Sequence, residues 1–534
     1  MAYTSLMFLA FLLLTVIVYY IVPKKLQWVV LLVASYGFYL SSGVEQVIYI
    51  LFTTLFTYFA ARWMQKLRDN TQAQIDALGD ISKDEKRAMK KAVNKKIHTI
   101  QVITVLVNLA ILGTVKFANT FVRGFNELFA FFKWDASMPL VNILVPLGLS
   151  YYTFNSIGYL IDVGRGKYAA EKHLGKFSLF VSFFPVIVQG PLCRFQDLGQ
   201  QLQQPHKLEY NNLKCGAQLM LWGFFKKLVI ADRVAVIASH VFHSGFSGYT
   251  GSHVFFGVLA YSFQIYGDFS GGTDICRGAA QMLGIDLPMN FARPFFATSM
   301  ADYWHRWHMS LGAWMREYVF YPVMLSKPVT AVSKKFRKKF GAHAGKIVPS
   351  VAAPFVVFFL MGIWHGITIQ RVVNGLYHAT LISSSVALAP VFKKITEKLK
   401  IRTECFSFRL FQMLRTFFLL CISRIITQAA TLRHAARMIK RLLTSWSWDF
   451  ILGIDKKIYT YGVDQKNMQV LVCAIIALLV VGIQQERGVK IRESLSKQNL
   501  IFRWFIILAL LTAVLVFGLY GPDYNASDFI YQNH

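Results

Sequence analysis

Acidic side chains are scarce in this chain. Against 57 Lys and Arg stand only 27 Asp and Glu, and charged residues of both signs make up 16% of 534 positions. That is too little charge for the solvated shell of a soluble protein of this length. The six cysteines (Cys193, Cys215, Cys276, Cys405, Cys421 and Cys473) are scattered and form no CxxC pair, which excludes a disulfide framework or a Cys-based metal site. They read as small buried hydrophobes. There is no HExxH motif, no internal repeat, and no low-complexity tract beyond the charged stretch 65–97. Apolar residues fill the space instead: 55% of positions are hydrophobic, 15% are aromatic, and mean hydropathy is +0.43. They fall in long blocks rather than amphipathic stripes, which defines an integral membrane protein.

Leu6 to Val22, Leu26 to Leu40, Val47 to Ala61, Val102 to Val115, Val470 to Val481 and Ile501 to Tyr520 approach or reach the roughly 20 apolar residues needed to cross the bilayer. Extended over the chain, this pattern predicts about ten to twelve transmembrane helices. The first segment stays as a span, because no basic run precedes it and no small-residue cleavage pattern follows. The net charge of +30 lies in short basic runs between apolar blocks, the pattern of cytoplasmic loops facing anionic lipid. It therefore points to a bilayer and not to nucleic acid. The linker "SGVEQ" lacks Lys and Arg while Lys66 to Lys96 is strongly basic, so the N-terminus is expected outside and 65–97 as a cytoplasmic helical hairpin.

Residues 117–137 and 204–345 mix aromatic, Gly, Pro and charged residues too densely for simple spans. They are expected as interfacial or re-entrant helices, tolerated at membrane depth only against protein or a watery cavity. The expected fold is all-α: a polytopic membrane protein with re-entrant helices around a central cavity, one domain over 1–534 with its chemical core at 266–380.

Within that core, Asp268, Asp274, Arg277, Arg293, Asp302, His305, Arg306, His308, Arg316 and Glu317 stand among aromatics, an expensive arrangement unless the charges pair or face water. Asp268 and Arg316 are read as register-setting ion-pair residues. His305 and His308, three apart, are expected on one helix face; no further ligand accompanies them, so no metal is expected. His365 differs, because "GIWHG" puts it between glycines with no carboxylate nearby in sequence. One reading is a packing imidazole bonded to a backbone carbonyl. The other is a neutral, desolvated general base, with Gly362 and Gly366 leaving room for close helix approach or a narrow passage.

"WHRWHMSLGAWMREYVFYP" at 304–322 and "GIWHG" at 362–366 resemble the two signature blocks of the membrane-bound O-acyltransferase (MBOAT) family, nearest to its bacterial alginate O-acetylation branch. "QGPLCRFQDLGQQL" at 189–202, "YGDFSGGTDICRGAAQMLGIDLPMNFARPF" at 266–295, "GPDYNASDFIY" at 521–531 and "YYIVPKKLQWVVLLVASYGFYL" at 19–40 agree with it. The resemblance implies catalytic histidines at His365 and His308. His305 stands where relatives of this branch usually have Arg, and Gln370 and Arg371 are unexpectedly polar in the stretch after "WHG".

It further implies an acyl group, acetyl first, passed from a cytoplasmic thioester (acetyl-CoA or an acyl-carrier protein) to hydroxyls of an exported cell-surface polysaccharide, or to an extracytoplasmic partner that completes the transfer. No permanently bound cofactor is expected. Lys and Arg near 334–346 serve either to attract the donor's phosphates or as topology signals only. The expected location is the bacterial inner (plasma) membrane. D-alanyl transfer to teichoic acid is the alternative within the family, and a membrane transporter the alternative of another class; matching halves and paired broken spans, which favour a transporter, are not seen.

Overall fold

The protein is seen in a computed structural model that describes residues 1–79, 81–141, 145–243, 249–451, 459 and 461–520. The C-terminal block at 521–531 lies outside the described residues. The described chain is helical without strands, and its contacts divide it into two compact units, Met1–Gly216 with Cys276–Pro288, and Ala217–Ile275 with Met289–His534.

The longer helices of the first unit are α1 (Leu6–Ile21), α2 (Gln27–Leu40), α3 (Val47–Ala77), α4 (Lys83–Phe131), α5 (Leu149–Arg165) and α6 (Leu174–Ser182). The 31 residues of α3 and 49 of α4 both exceed a bilayer crossing, so the basic 65–97 region continues them, α3 ending at Ala77 and α4 starting at Lys83. A reciprocal Ser82–Glu85 capping box starts α4, with Asp84 and Glu85 in its first turn against the helix dipole. Farther along, Asn108 Nδ2 donates to Thr57 Oγ1 at 3.2 Å and ties α4 to α3. Of the interfacial or re-entrant helices expected over 117–137, the re-entrant form is corrected for 117–131, because α4 runs unbroken to Phe131. Charged and aromatic residues from 117 to 131 sit on one continuous helix, while Lys133, Trp134 and Asp135 lie beyond its end. Around the largely buried α5, rings pack closely, with Tyr159 tilted against Phe177 (4.6 Å) and edge to face with Phe195 (4.9 Å).

The division falls within the residue ranges of α7 (Tyr210–Phe224) and α9 (Gly251–Met282). The second unit adds α8 (Asp232–His243), α10 (Met300–Arg306), α11 (Met309–Met315), α12 (Lys327–His365), α13 (Ile369–Ala387), α14 (Phe406–Gln428), α15 (Leu432–Thr444), α16 (Gln465–Glu486) and α17 (Leu500–Phe517). Here the chain is broken as its mixed composition predicts. Residues Phe225–Ala231 and Arg316–Phe320 are wide π-helical turns, a form frequent at functional sites. Gly223 and Gly271 allow backbones to touch, since a Cβ on Gly223 would collide with the Gly271 carbonyl. Ala435, Met438 and Leu442, at helical spacing, bury one stripe of the basic α15.

Six of the described helices are long and apolar enough to span a membrane: Val44–Ala77, α4, α12, α14, α16 and α17. The pair Ile369–Ala387 and Ala389–Lys398, bent by 59°, is either a broken seventh span or a re-entrant loop. The count is below the ten to twelve expected, because α1 and α2 have only 16 and 14 residues and the middle of the chain is cut into short helices. Cys193, Cys276 and Cys421 are buried as expected; Cys215 and Cys405 are half-buried, and Cys473 is exposed on α16, so the uniform reading of cysteines as core residues is corrected.

Candidate active site

The hairpin of α12 and α13 carries "GIWHG". Before a kink at Gly341 (φ +88°) the helix is basic, with Lys334, Lys335, Lys338 and Lys339 exposed; beyond it the apolar run reaches His365. Gly366, at φ +149° and ψ 143°, adopts a backbone open to glycine alone and ends the helix. The chain turns through Thr368 into α13, and the two helices approach at glycine backbones: a Cβ on Gly362 would strike the Arg371 carbonyl, and one on Gly375 the Phe358 carbonyl. This is the close approach expected from the glycines. On its far side, Gly366 lies against the Arg371 guanidinium.

His365 lines a cavity of about 140 Å³ in the second unit. Its walls come from α9 (Tyr261, Ile265), α10 and the residue after it (Tyr303, Trp304, Trp307), α12, α13 (Arg371, Asn374, His378) and α14 (Ser423, Arg424, Gln428). The His365 ring is half-buried and lies 4.5 Å, centroid to centroid, from Trp364.

A second histidine, His378, lines the same cavity and is held at both ring nitrogens. The Trp304 indole donates to Nδ1 at 3.3 Å, so the proton is on Nε2, which donates to Ser423 Oγ at 2.9 Å; Ser423 in turn donates to Asn374 Oδ1 at 2.7 Å. This chain locks three helices around the cavity. Sequence reasoning passed over His378, Asn374, Ser423 and Arg424. One available signal was Asn374 and His378 at i, i+4 on α13; another was a lone Arg in the apolar run "FFLLCISRIITQ".

His308 does not line that cavity. The helix carrying His305 ends at Arg306, because backbone pairing with the preceding strand-like segment takes over: Ala292 N donates to Arg306 O at 2.9 Å and Met309 N to Asn290 O at 3.0 Å. His308 then takes left-handed backbone angles (φ 46°, ψ 52°), uncommon outside glycine, and caps α11. The expectation that His305 and His308 share a helix face is corrected: His305 is exposed, whereas His308 is 2% exposed. His308 Nδ1 donates to Asn290 Oδ1 at 3.2 Å, and its ring stands edge-on to Phe269 at 4.7 Å. Burial pushes its pKa below the ordinary histidine value and keeps it neutral. Its neighbour Trp307 does face the cavity.

Five of the ten polar residues flagged in 266–317 form ion pairs. Asp268 binds Lys227 at 2.6 Å and Asp274 binds Lys226 at 2.7 Å. Glu486, at the end of α16, holds both Arg293 (2.7 Å) and Arg306 (3.0 Å), and Asp302 also holds Arg306 at 2.8 Å. Asp268 is thus the buried ion-pair residue expected of it. Arg316 is exposed on a π-helical turn.

The described chain is a polytopic helical membrane protein with a cavity lined by two histidines, two arginines and aromatic rings. The chain belongs to the membrane-bound O-acyltransferase family, whose model matches residues 170–425, and it is an O-acyltransferase. It is 30% identical over 431 residues to the probable alginate O-acetylase AlgI of Pseudomonas putida, a match covering 80% of this chain and 77% of that one. The probable alginate O-acetylase AlgI of Pseudomonas syringae pv. tomato is 29% identical over 431 residues, 80% of this chain and 72% of its own. The teichoic acid D-alanyltransferase of Bacillus subtilis is 31% identical over 250 residues, 46% and 60% respectively. The transporter reading falls with family membership.

Proposed function

We propose that this chain, in a bacterial inner membrane, transfers an acetyl group from a thioester donor, acetyl-CoA or an acyl-carrier protein, to hydroxyls of an exported cell-surface polysaccharide or of a partner protein that completes the transfer. His365 acts as the general base. It takes the proton from the acceptor hydroxyl, whose oxygen attacks the thioester carbonyl; the new C–O bond forms, the C–S bond breaks, and the thiolate leaves with the proton returned by the imidazolium. The charge developing on the carbonyl oxygen needs donors aimed at it. Asn374 and Gln428 supply amides on the same cavity wall. His308 enters as a positioning residue, bracing Trp307 through its bond to Asn290.

The observation that carries this reading is His365 on the wall of a cavity lined by polar and aromatic side chains, at a glycine break that ends its helix. Purified protein given radiolabelled acetyl-CoA and a polysaccharide acceptor should move label from thioester to glycan, and His365→Ala should not. The second reading, D-alanyl transfer, has the Bacillus subtilis match behind it. It would replace the first if a D-alanyl carrier protein discharged and acetyl-CoA did not.

A further inference from the structure

Arg424 on α14 is a charged cavity residue to which the acyl transfer proposed above gives no part. It is 6% exposed, lines the cavity with His365, and comes from a helix apolar enough to span the membrane. Its contacts are neutral: the Leu420 carbonyl at a long 3.5 Å, the Tyr303 hydroxyl, and the Phe295 ring, with the centroid 6.0 Å away. Its buried Nε has no hydrogen-bond partner among the described residues. No Asp or Glu is among the described residues lining the cavity, while a second guanidinium, Arg371, lies against Gly366 beside His365.

A guanidinium cannot shed its charge at working pH, and a buried one without a counter-ion is strongly disfavoured. Such an arrangement persists where the missing anion belongs to a ligand. Carboxylates and phosphates match the guanidinium fork, and the unfilled Nε–H is one of its prongs.

We propose that Arg424, with Arg371, forms an anion subsite in the His365 cavity, which selects a substrate carrying a carboxylate or phosphate close to its reacting group. The inference rests on the acyl-transfer reading for the meaning of "reacting group". It makes the cavity a charge-selective pocket: a neutral alcohol reaching His365 leaves Arg424 unsatisfied, whereas an anionic one is bound and aligned at once.

The test uses full-length protein in lipid nanodiscs, with binding followed by tryptophan fluorescence, since Trp304 and Trp307 line the cavity. Two matched pairs serve as probes: methyl glucuronoside against methyl glucoside for the acceptor side, and phosphopantetheine against pantetheine for the donor side. The charged member of at least one pair should bind about tenfold or more tightly than its neutral partner, the scale of a charge-assisted hydrogen bond. Which pair does so identifies the source of the anion. Arg424→Gln should erase the preference while leaving the neutral probes' affinity within about twofold, and Arg424→Lys should keep part of it. The absence of charge preference in both pairs, or a preference that survives Arg424→Gln, overturns the subsite. Should Arg424→Gln fail to fold, the wild-type pairs and Arg424→Lys still decide. A wild-type protein that moves labelled acetyl but shows no charge preference removes the subsite and leaves the proposed function standing; charge preference without acetyl transfer does the reverse.

Discussion

Lys227 Nζ lies 2.6 Å from Asp268 Oδ1 with both side chains only 2% exposed, and Asp232 completes the site at 2.8 Å from the same ammonium. With the neighbouring Lys226–Asp274 pair, it fastens the π-helical turn Phe225–Ala231 to α9. The wide turn brings two consecutive lysines to bear on α9, spreading charge that a regular helix would present on diverging faces. Removing one partner of such a pair is costlier than removing both. Lys227→Met, which strands the buried Asp268 carboxylate, should therefore lose about 3 to 5 kcal/mol, read as a large drop in detergent melting temperature. The Lys227→Met, Asp268→Leu double variant should recover much of that loss. A double variant as unstable as the single one would refute this account.

His365 is half-buried at a helix end, so truncating it removes little packing. His365→Ala should fold with an unchanged melting temperature and lose acyl transfer by about 10² to 10⁴-fold, the worth of a positioned general base. Single-turnover transfer of labelled acetyl measures this. A variant retaining most of the wild-type rate would move the base elsewhere.

The α12–α13 hairpin depends on glycine where backbones meet. Gly375→Leu would drive a side chain into the Phe358 carbonyl and into the cavity wall at once. We expect a stability loss of about 1 to 3 kcal/mol together with a collapse of activity. Gly341→Ala, at the kink far from the cavity, should leave the catalytic rate almost unchanged while straining the kink, because its φ is positive. Comparing melting temperature and rate across these two variants separates packing from chemistry.

Burial lowers the His308 pKa, so the folded protein holds this ring neutral. Above the unfolded value of about 6.5, both states are neutral and the full stability is present. As pH falls below that value, the unfolded state gains a proton that the folded state refuses, and stability drops by up to about 1.4 kcal/mol per pH unit. Melting temperature should therefore decline from pH 7 to pH 5 more steeply in wild type than in His308→Gln, compared by scanning calorimetry or fluorescence. Parallel declines would show that His308 does not carry the effect.

The membrane class, the paired charges of 266–317 and the place of His365 were legible because each follows from local composition. A long apolar block has nowhere to go but lipid or core, and a histidine between glycines at the end of one marks a gap in packing. The count of spans was not legible in this way. Length and hydropathy do not distinguish a crossing from a short buried helix, and α1 and α2 fall between the two. Spacing also misled at His305 and His308, because backbone pairing of 290–292 with 306–309 ended a helix that periodicity continued.

By itself, the order of residues determined that this chain enters a bilayer, that its polar middle surrounds something other than lipid, and that ring 365 sits at a break in an apolar helix. Tertiary structure alone decided which polar side chains share that break. His378, Ser423, Asn374 and Arg424 come from helices up to 50 positions apart and converge only through packing. Periodicity assigns a residue to a face of its own helix, whereas the neighbour that face meets is set by how glycine contacts, ring stacking and buried ion pairs are satisfied together.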